Sequence, residues 1–163
     1  MRICGIDSAT KKTGISLFID GRYETSTLID VSSISVKPNK RINEMILNIV
    51  TKLTEYKPNC VYIEDSYMAN NIQTTKELSY IIGAVRLFCL EHKIAYHLLM
   101  PSSWRSTIGI QKKGEKRSNY KKLCLLYVRK KYNVNAVTDD VSDSICIGEA
   151  GTILENDEGD LFL

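Results

Sequence analysis

A β-α-β pattern near the start of the chain most narrows the folds open to it. The apolar segment from Arg2 to Asp7 predicts a buried strand, and after Pro38 apolar residues recur at helical spacing until Lys57-Pro58 ends the pattern. The helical positions are Ile42, Met45, Ile46, Ile49, Val50 and Leu53. The apolar run from Cys60 to Ile63 then predicts a strand parallel to the first, because a helical crossover returns the chain in the same direction.

Two further strands are predicted between the first strand and the helix. They run from Thr13 to Ile19 and from Tyr23 to Val31, and Asp20-Gly21 between them is a hairpin turn signal. These strands extend the parallel pair into a mixed sheet.

The second half of the chain continues with helices and one strand. Periodicity predicts a helix from Thr74 to Glu91 and a strand from Ile94 to Leu99, followed by a basic loop and helix. The last helix is expected to begin at about Asp139, with Thr138 or Asp139 as its cap. The predicted order, β-β-β-α-β-α-β-α-α, gives one α/β domain over residues 1–163, with an acidic tail at about 150–163.

Charge is distributed unevenly along the chain. The 22 Lys and Arg and 19 Asp and Glu give a net charge of only +3, so the total indicates little about partners. Between Lys112 and Lys131, however, the basic residues are opposed only by Glu115, and no base follows Glu149. This asymmetry indicates a surface for a polyanion and a solvated acidic tail.

The five cysteines lie in apolar stretches without a C-x-x-C pair and without Cys/His ligand spacing. Free buried thiols in a reducing cytoplasm are expected, in a bacterial cell or a phage-infected one. No segment has the pattern of a signal peptide or the apolar run of about 18–20 residues that spans a bilayer, so no membrane partner is expected.

Acidic residues end two of the apolar strands. Asp7 closes the first strand and Glu64 the fourth, at positions where a buried charge without a partner would be costly. If these strands are parallel neighbours, both carboxylates emerge at the same end of the sheet. Asp140 and Asp143, spaced i, i+3 in the last helix, project from one face of the same turn and would complete a group of four.

Four converging carboxylates repel one another unless a cation holds them. All-oxygen ligation favours Mg²⁺, with Mn²⁺ as a substitute. Two such ions about 3.5–4 Å apart suit in-line hydrolysis of a phosphodiester. We therefore predict that the four acids are both catalytic residues and ligands of two metal ions, and that His92 and His97 need not take part.

Each acid also has a purely structural interpretation. Asp7 could form a turn at a strand end, and Asp65 could replace Glu64 as the inward acid. Asp140 and Asp143 could simply complement the dipole at the start of the helix. A contribution of Asp139 to the metal site is also open. The conjunction of the four acids favours the functional interpretation.

The same residues, in this order, resemble the RuvC family of Holliday junction resolvases, in particular its short phage-type members. The first family motif is similar to residues 5–14, the second to residues 61–64 and the third to residues 140–148, where Ser144 replaces the usual Ala. The segment Pro101-Ser-Ser-Trp104-Arg105 resembles the stretch that leads into the basic loop. The resemblance extends from Arg2 to about Gly148.

This resemblance implies an RNase H-like fold, a five-stranded mixed sheet with helices on both faces. It also implies a homodimer that binds branched DNA, especially four-way junctions, and makes paired symmetric nicks in recombination, repair or phage DNA processing. Tyr67, three residues after Glu64, is expected to stack on junction bases or, alternatively, to cap the core at the strand end.

Basic residues around Gly114 predict a surface for phosphates. Gly109 precedes them, so the loop could close on a phosphate backbone beside the metal site. The predicted DNA-binding residues are Lys112, Lys113, Lys116, Arg117 and Lys121. An ordinary solvated helix face accounts for Arg129, Lys130 and Lys131, and it is the alternative for the other basic residues as well.

The helix from Thr74 to Glu91 carries apolar residues on more than one face. The helical spacing predicts that its inner face carries Leu78, Ile81, Ile82, Val85 and Phe88. Leu87 and Leu90 fall on the outer face. A dimer partner could cover the outer face, and burial within one subunit is the alternative.

Three other functions fit parts of the pattern. A broader flap or fork nuclease would use the same acids, so only a substrate panel separates it from a junction resolvase. A sugar kinase or actin-like ATPase would need a second Gly-rich phosphate loop and a duplicated domain, and this sequence has neither. A non-catalytic junction-binding protein is expected to lose at least one of the acids, and all four are present.

Overall fold

The computed structural model describes residues 1–34, 37–65, 71–135 and 137–160. The strands are β1 (Arg2–Asp7), β2 (Lys12–Ile19), β3 (Arg22–Asp30), β4 (Cys60–Glu64) and β5 (Ala95–Leu99). The helices are α1 (Pro38–Tyr56), α2 (Ile72–Glu91), α3 (Pro101–Thr107), α4 (Arg117–Tyr132) and α5 (Asp139–Asp160). None of the helices in these ranges is both long and apolar enough to cross a bilayer.

The five strands form one mixed sheet in the order β3-β2-β1-β4-β5. β4 lies parallel to β1, as the helical crossover predicts, and β5 lies parallel to β4, while β2 and β3 form the antiparallel hairpin. Asp20 and Gly21 in the hairpin turn have φ of 49° and 77°, the left-handed conformation that matches the twist of the two strands. The predicted five-stranded mixed sheet is confirmed.

Helices cover both faces of the sheet, and alternation along the strands decides which residues meet which helices. Ile6 and Ile63 pack in the core beneath α1 and α2. Ile3 and Tyr62 pack in the core beneath α3, α4 and α5. The central strands β1 and β4 are therefore buried on both sides, and the prediction of helices on both faces is confirmed.

Two features differ from the sequence predictions. Helix α3 was not predicted, because its seven residues are too few for a periodic signal, although Pro101 begins it in the position that proline favours. The second difference lies at the start of the acidic stretch, which belongs to helix α5 as far as Asp160. Glu149, expected at the start of that solvated stretch, is buried and accepts a hydrogen bond from Lys131 Nζ at 2.5 Å.

Candidate active site

Asp7 and Glu64 end the two central parallel strands side by side. Ile6 pairs with Ile63 in the register of β1 and β4, and both pack against α1 and α2. The next residue in each strand points to the opposite side of the sheet. Asp7 and Glu64 therefore both face helix α5.

The structure also distinguishes Glu64 from Asp65, the alternative that the sequence left open. The backbone N–H of Asp65 donates to Leu99 O at 2.9 Å and continues the ladder toward β5. Glu64 Oε2 accepts a hydrogen bond from Trp104 Nε1 at 2.8 Å, and Trp104 belongs to α3 on the α5 side of the sheet. Glu64 is thus the acid that faces the candidate site.

Helix α5 lies directly on the backbone of the strands because glycines form the contact. Gly14 pairs with Asp7 across β1 and β2, and a Cβ at Gly14 would lie 2.0 Å from Asp140 O. A Cβ at Gly5 would lie 2.3 Å from Gly148 N. The first turn of α5, which carries Asp140, is therefore seated over the strand position next to Asp7. Thr138 Oγ1 caps this turn by accepting the N–H of Val141 at 3.3 Å.

The pKa of Asp143 is raised well above the ordinary range of an aspartate. Burial raises its pKa to about 6, the negative charge of Glu64 acts in the same direction, and a hydrogen bond with Cys124 opposes both. Its Oδ1 is buried and has no hydrogen-bond partner within the described ranges. Burial also raises the pKa of Asp140, against the opposing charge of Lys121.

These observations fit a site for a hard divalent cation. Buried polar atoms in proteins are nearly always hydrogen bonded, so an unpartnered carboxylate oxygen beside a second carboxylate calls for a cation. The donor set consists of carboxylate oxygens, the ligands that Mg²⁺ and Mn²⁺ prefer. The structure places Asp143 beside Glu64 and seats the turn of Asp140 over the strand position next to Asp7, and the role of the four acids as ligands and catalytic residues stays a prediction.

Replacing Asp143 by Asn should stabilise the metal-free protein. An aspartate with a raised pKa binds its proton more tightly in the folded chain than in the unfolded chain. At pH values above the ordinary aspartate pKa, ionisation of this side chain therefore lowers the stability of the folded chain. In EDTA at pH 7.5 the Asn variant should gain on the order of 1–3 kcal/mol of unfolding free energy, and the gain should vanish as the pH falls toward about 4. Chemical denaturation at both pH values measures this; a less stable Asn variant at pH 7.5 would contradict it.

Trp104 is a part of the site that sequence reasoning missed. The sequence marked it only as a residue leading into the basic loop, yet it is fully buried and its indole N–H orients Glu64. The guanidinium of Arg105 lies 4.8 Å from the Trp104 ring and 4.4 Å from the Tyr120 ring. A single buried tryptophan next to a predicted basic loop is the signal that could have identified it.

Replacing Trp104 by Phe should weaken metal binding. The variant loses the hydrogen bond to Glu64 and keeps an aromatic ring, although the smaller ring leaves a cavity at this fully buried position and lowers stability. Loss of such an outer hydrogen bond typically lowers metal affinity about 10–100-fold. Isothermal titration with Mn²⁺ measures the effect, and unchanged affinity in a folded variant would argue against a positioning role for Trp104.

The predicted basic loop lies between α3 and α4. Lys112, Lys113 and Lys116 are exposed, and the buried Tyr120 ties the loop to α4 by donating to Lys112 O at 2.6 Å and accepting from Lys112 N at 3.0 Å. Lys121 differs from these lysines, because it is half-buried and its Nζ pairs with Asp139 at 3.0 Å.

Two predicted DNA-binding residues cannot be placed in this surface. Tyr67 lies outside the described residues, and the structure describes the backbone but not the side chain of Arg117. Their roles stay predictions from the sequence.

The sequence of this chain is similar to proteins of one known family. A family model described as "Crossover junction endodeoxyribonuclease RuvC" matches residues 3–148. RuvC of Corynebacterium glutamicum is 23% identical over 133 residues, which are 79% of this chain and 58% of that protein. RuvC of Campylobacter concisus is 26% identical over 152 residues, 90% of this chain and 93% of that protein. The matched part of the chain thus spans little more than half of the corynebacterial relative.

Solved structures show the same fold. T. thermophilus RuvC in complex with a Holliday junction substrate aligns with a TM-score of 0.77 at 14% identity, covering 96% of this chain and 95% of that one. The Fowlpox virus resolvase, solved with Holliday junction DNA, aligns with a TM-score of 0.64 at 17% identity and covers 93% and 97% of the two chains.

Proposed function

The chain belongs to the RuvC family of crossover junction endodeoxyribonucleases, and on that basis we propose that it resolves four-way DNA junctions by paired symmetric nicks. The observation that carries this proposal is the buried Oδ1 of Asp143 beside Glu64, which has no hydrogen-bond partner among the described residues. Such an oxygen is the feature expected of a cation site for phosphodiester hydrolysis. The relatives of known structure, from T. thermophilus and Fowlpox virus, were solved with Holliday junctions.

We assign the metal ligands to Asp7, Glu64, Asp140 and Asp143, with two Mg²⁺ ions per site and Mn²⁺ as a substitute. When bound, such ions would activate the attacking water and stabilise the leaving oxygen. The four acids would hold the ions in place, and the Trp104 N–H, 2.8 Å from Glu64 Oε2, would fix the orientation of one ligand.

Positive groups beside the acids would guide the DNA backbone. Lys121 lies close enough to the site that Asp139, Asp140 and Asp143 all raise its pKa, the hydrogen bond to Asp139 most strongly. The exposed lysines of the loop extend this positive surface, and such phosphate contacts give affinity without sequence information.

Removing two loop lysines should weaken junction binding in a salt-dependent way. With Lys112→Gln and Lys113→Gln combined, the slope of log affinity against log salt should become shallower by about 2, since each lost phosphate contact contributes about 0.9. Fluorescence anisotropy with a labelled junction across a salt series measures this. The matched control combines Arg129→Gln and Lys130→Gln, which lie at the far end of α4; equal slope changes in both variants would contradict a specific role for the loop.

The outer face of α2 supports a homodimer. Leu87 is 57% exposed, Leu90 67% and Tyr80 59%, so the described part of the subunit does not bury them. A second copy of the chain covering this face would place two active sites on one junction, which matches two cuts per junction. Sedimentation velocity of the full chain tests the dimer directly.

A cytoplasmic location, in a bacterial cell or a phage-infected host, accords with this proposal. The five cysteines are free and buried, as expected in a reducing compartment that contains DNA.

A substrate panel tests the proposed activity. The purified chain is incubated with Mg²⁺ and an end-labelled immobile four-way junction, beside flap, fork and linear duplex controls. Paired symmetric nicks confined to the junction support the proposal. Equal cutting of flaps and forks would make the chain a general branched-DNA nuclease, and junction binding without cleavage in Mg²⁺ or Mn²⁺ would leave a binding protein.

A further inference from the structure

A second cluster of metal-ligating side chains lies on the α5 side of the sheet, away from the four acids. Cys60 begins β4, His97 lies in β5 and Glu155 lies in α5. One ligand atom from each lies within 4.8 Å of the others. Cys60 and Glu64 are at opposite ends of β4, which separates this cluster from the acids by about 13 Å at the rise of a strand.

The three side chains meet because the sheet register places them on one face. Cys60 pairs with Ala95 and Tyr62 pairs with His97, so Cys60, Tyr62 and His97 point to the same side. Glu155 reaches this side from the later turns of α5. The spacing of these residues along the sequence does not predict the cluster, because its members come from three separate elements.

Glu155 Oε1 is the centre of the cluster. Cys60 Sγ donates to it at 3.3 Å and Tyr62 Oη donates to it at 2.8 Å. His97 Nε2 lies 3.9 Å from the same oxygen. In a tetrahedral site with bonds of about 2.0–2.3 Å, ligand atoms are separated by about 3.3–3.8 Å, so these atoms need only small shifts to surround one ion.

The surroundings resemble the outer shell of a metal site. The His97 ring stacks on Tyr62 with ring centroids 4.8 Å apart, and the Tyr62 hydroxyl orients Glu155, so the side chains are held before a cation arrives. Cys60 is fully buried, whereas the His97 side chain is 45% exposed and leaves a path for entry.

We propose that Cys60, His97 and Glu155 bind one Zn²⁺ ion, with water completing the tetrahedron. A thiolate, an imidazole and a carboxylate together suit zinc, whereas Mg²⁺ avoids sulfur ligands. On binding, the zinc–sulfur bond forms and the Cys60 thiol proton leaves to solvent. The ion joins β4, β5 and the second half of α5, so it stabilises the helix whose first turn carries Asp140. This site is independent of the proposed nuclease activity.

Cobalt and zinc titrations of the full chain test this site in excess Mg²⁺, which keeps the carboxylate site occupied. Co²⁺ should bind one per chain and give a thiolate-to-cobalt charge-transfer band. Cys60→Ser should abolish the band, and His97→Gln, at an exposed position, should weaken Co²⁺ and Zn²⁺ binding at least about tenfold. His92→Gln, which changes the other histidine, is the matched control and should bind as the wild type does.

Stability supplies an independent measurement. Zn²⁺ at about 100-fold excess over its Kd should raise the melting temperature of the wild type by about 5 °C or more. The same Zn²⁺ concentration should raise the melting temperature of folded His97→Gln much less. Absence of the charge-transfer band, or a band that persists in Cys60→Ser, would overturn the proposal. If Cys60→Ser does not fold, unchanged metal affinity in His97→Gln would overturn it instead.

Discussion

Replacing Glu64 by Gln is expected to abolish junction cleavage while leaving the fold and junction binding intact. In the wild type, Trp104 Nε1 donates to Glu64 Oε2 at 2.8 Å. Gln has the same size as Glu and keeps a side-chain oxygen that can accept this hydrogen bond. It removes the negative charge that holds a metal ion, and an ion acting as a Lewis acid supplies several kcal/mol of transition-state stabilisation. The nicking rate should therefore fall by on the order of 10³-fold or more.

Single-turnover nicking of a labelled junction in Mg²⁺ measures the rate, and anisotropy in Ca²⁺ measures binding. The matched control is Asp65→Asn, one residue later, because Asp65 continues the ladder to β5 through its backbone N–H. The control should cleave within about twofold of the wild type, because Asn keeps the size of the half-buried Asp65 side chain and the backbone N–H that joins β5. Comparable losses in the two variants would show that Glu64 has been assigned the wrong role.

Replacing Gly14 by Ala is expected to displace the first turn of α5 and destabilise the chain. The new Cβ would lie 2.0 Å from Asp140 O and 2.5 Å from Asp140 C, and both are backbone atoms that no rotamer change can move. Overpacking against backbone should cost about 3 kcal/mol or more of unfolding free energy. Because Asp140 moves with the turn, metal affinity should fall together with stability.

Chemical denaturation and Mn²⁺ titration measure the two effects. Gly83 in α2 provides the control when both variants are measured at concentrations too low for dimerisation, because a Cβ there meets nothing within 4 Å in the described part of the same chain. Gly83→Ala should be stabilising by up to about 1 kcal/mol, since glycine is a poor residue inside a helix. A Gly14→Ala variant as stable as the wild type would contradict the close seating of α5 on β2.

Much of the fold follows from local patterns in the sequence. The period of two in the strands and of 3.6 in α1 predicted the elements, and the crossover predicted the parallel pairing of β1 and β4, which the structure confirms. The hairpin at Asp20-Gly21 followed from the conformations that those residues adopt readily. Helix α3 did not follow, because a seven-residue helix has no periodic signal of its own.

The sequence by itself determined which acids could meet, since strand alternation and helical spacing are properties of consecutive residues. It also limited the choice at the end of β4 to Glu64 or Asp65. Only the tertiary structure decided between them, because the side of the sheet that α5 covers depends on how the whole chain packs. The Trp104 contact to Glu64 depends on the same packing.

The close approach of α5 and the meeting of Cys60, His97 and Glu155 were likewise decided by tertiary structure. Gly5 and Gly14 are the first and last residues of the first family motif, but their packing role appears only where another backbone lies against them. Likewise, ligands from β4, β5 and α5 have no common spacing along the chain. Local sequence determines the conformation of each element, whereas contacts between distant elements depend on the volumes and register of all the residues packed between them.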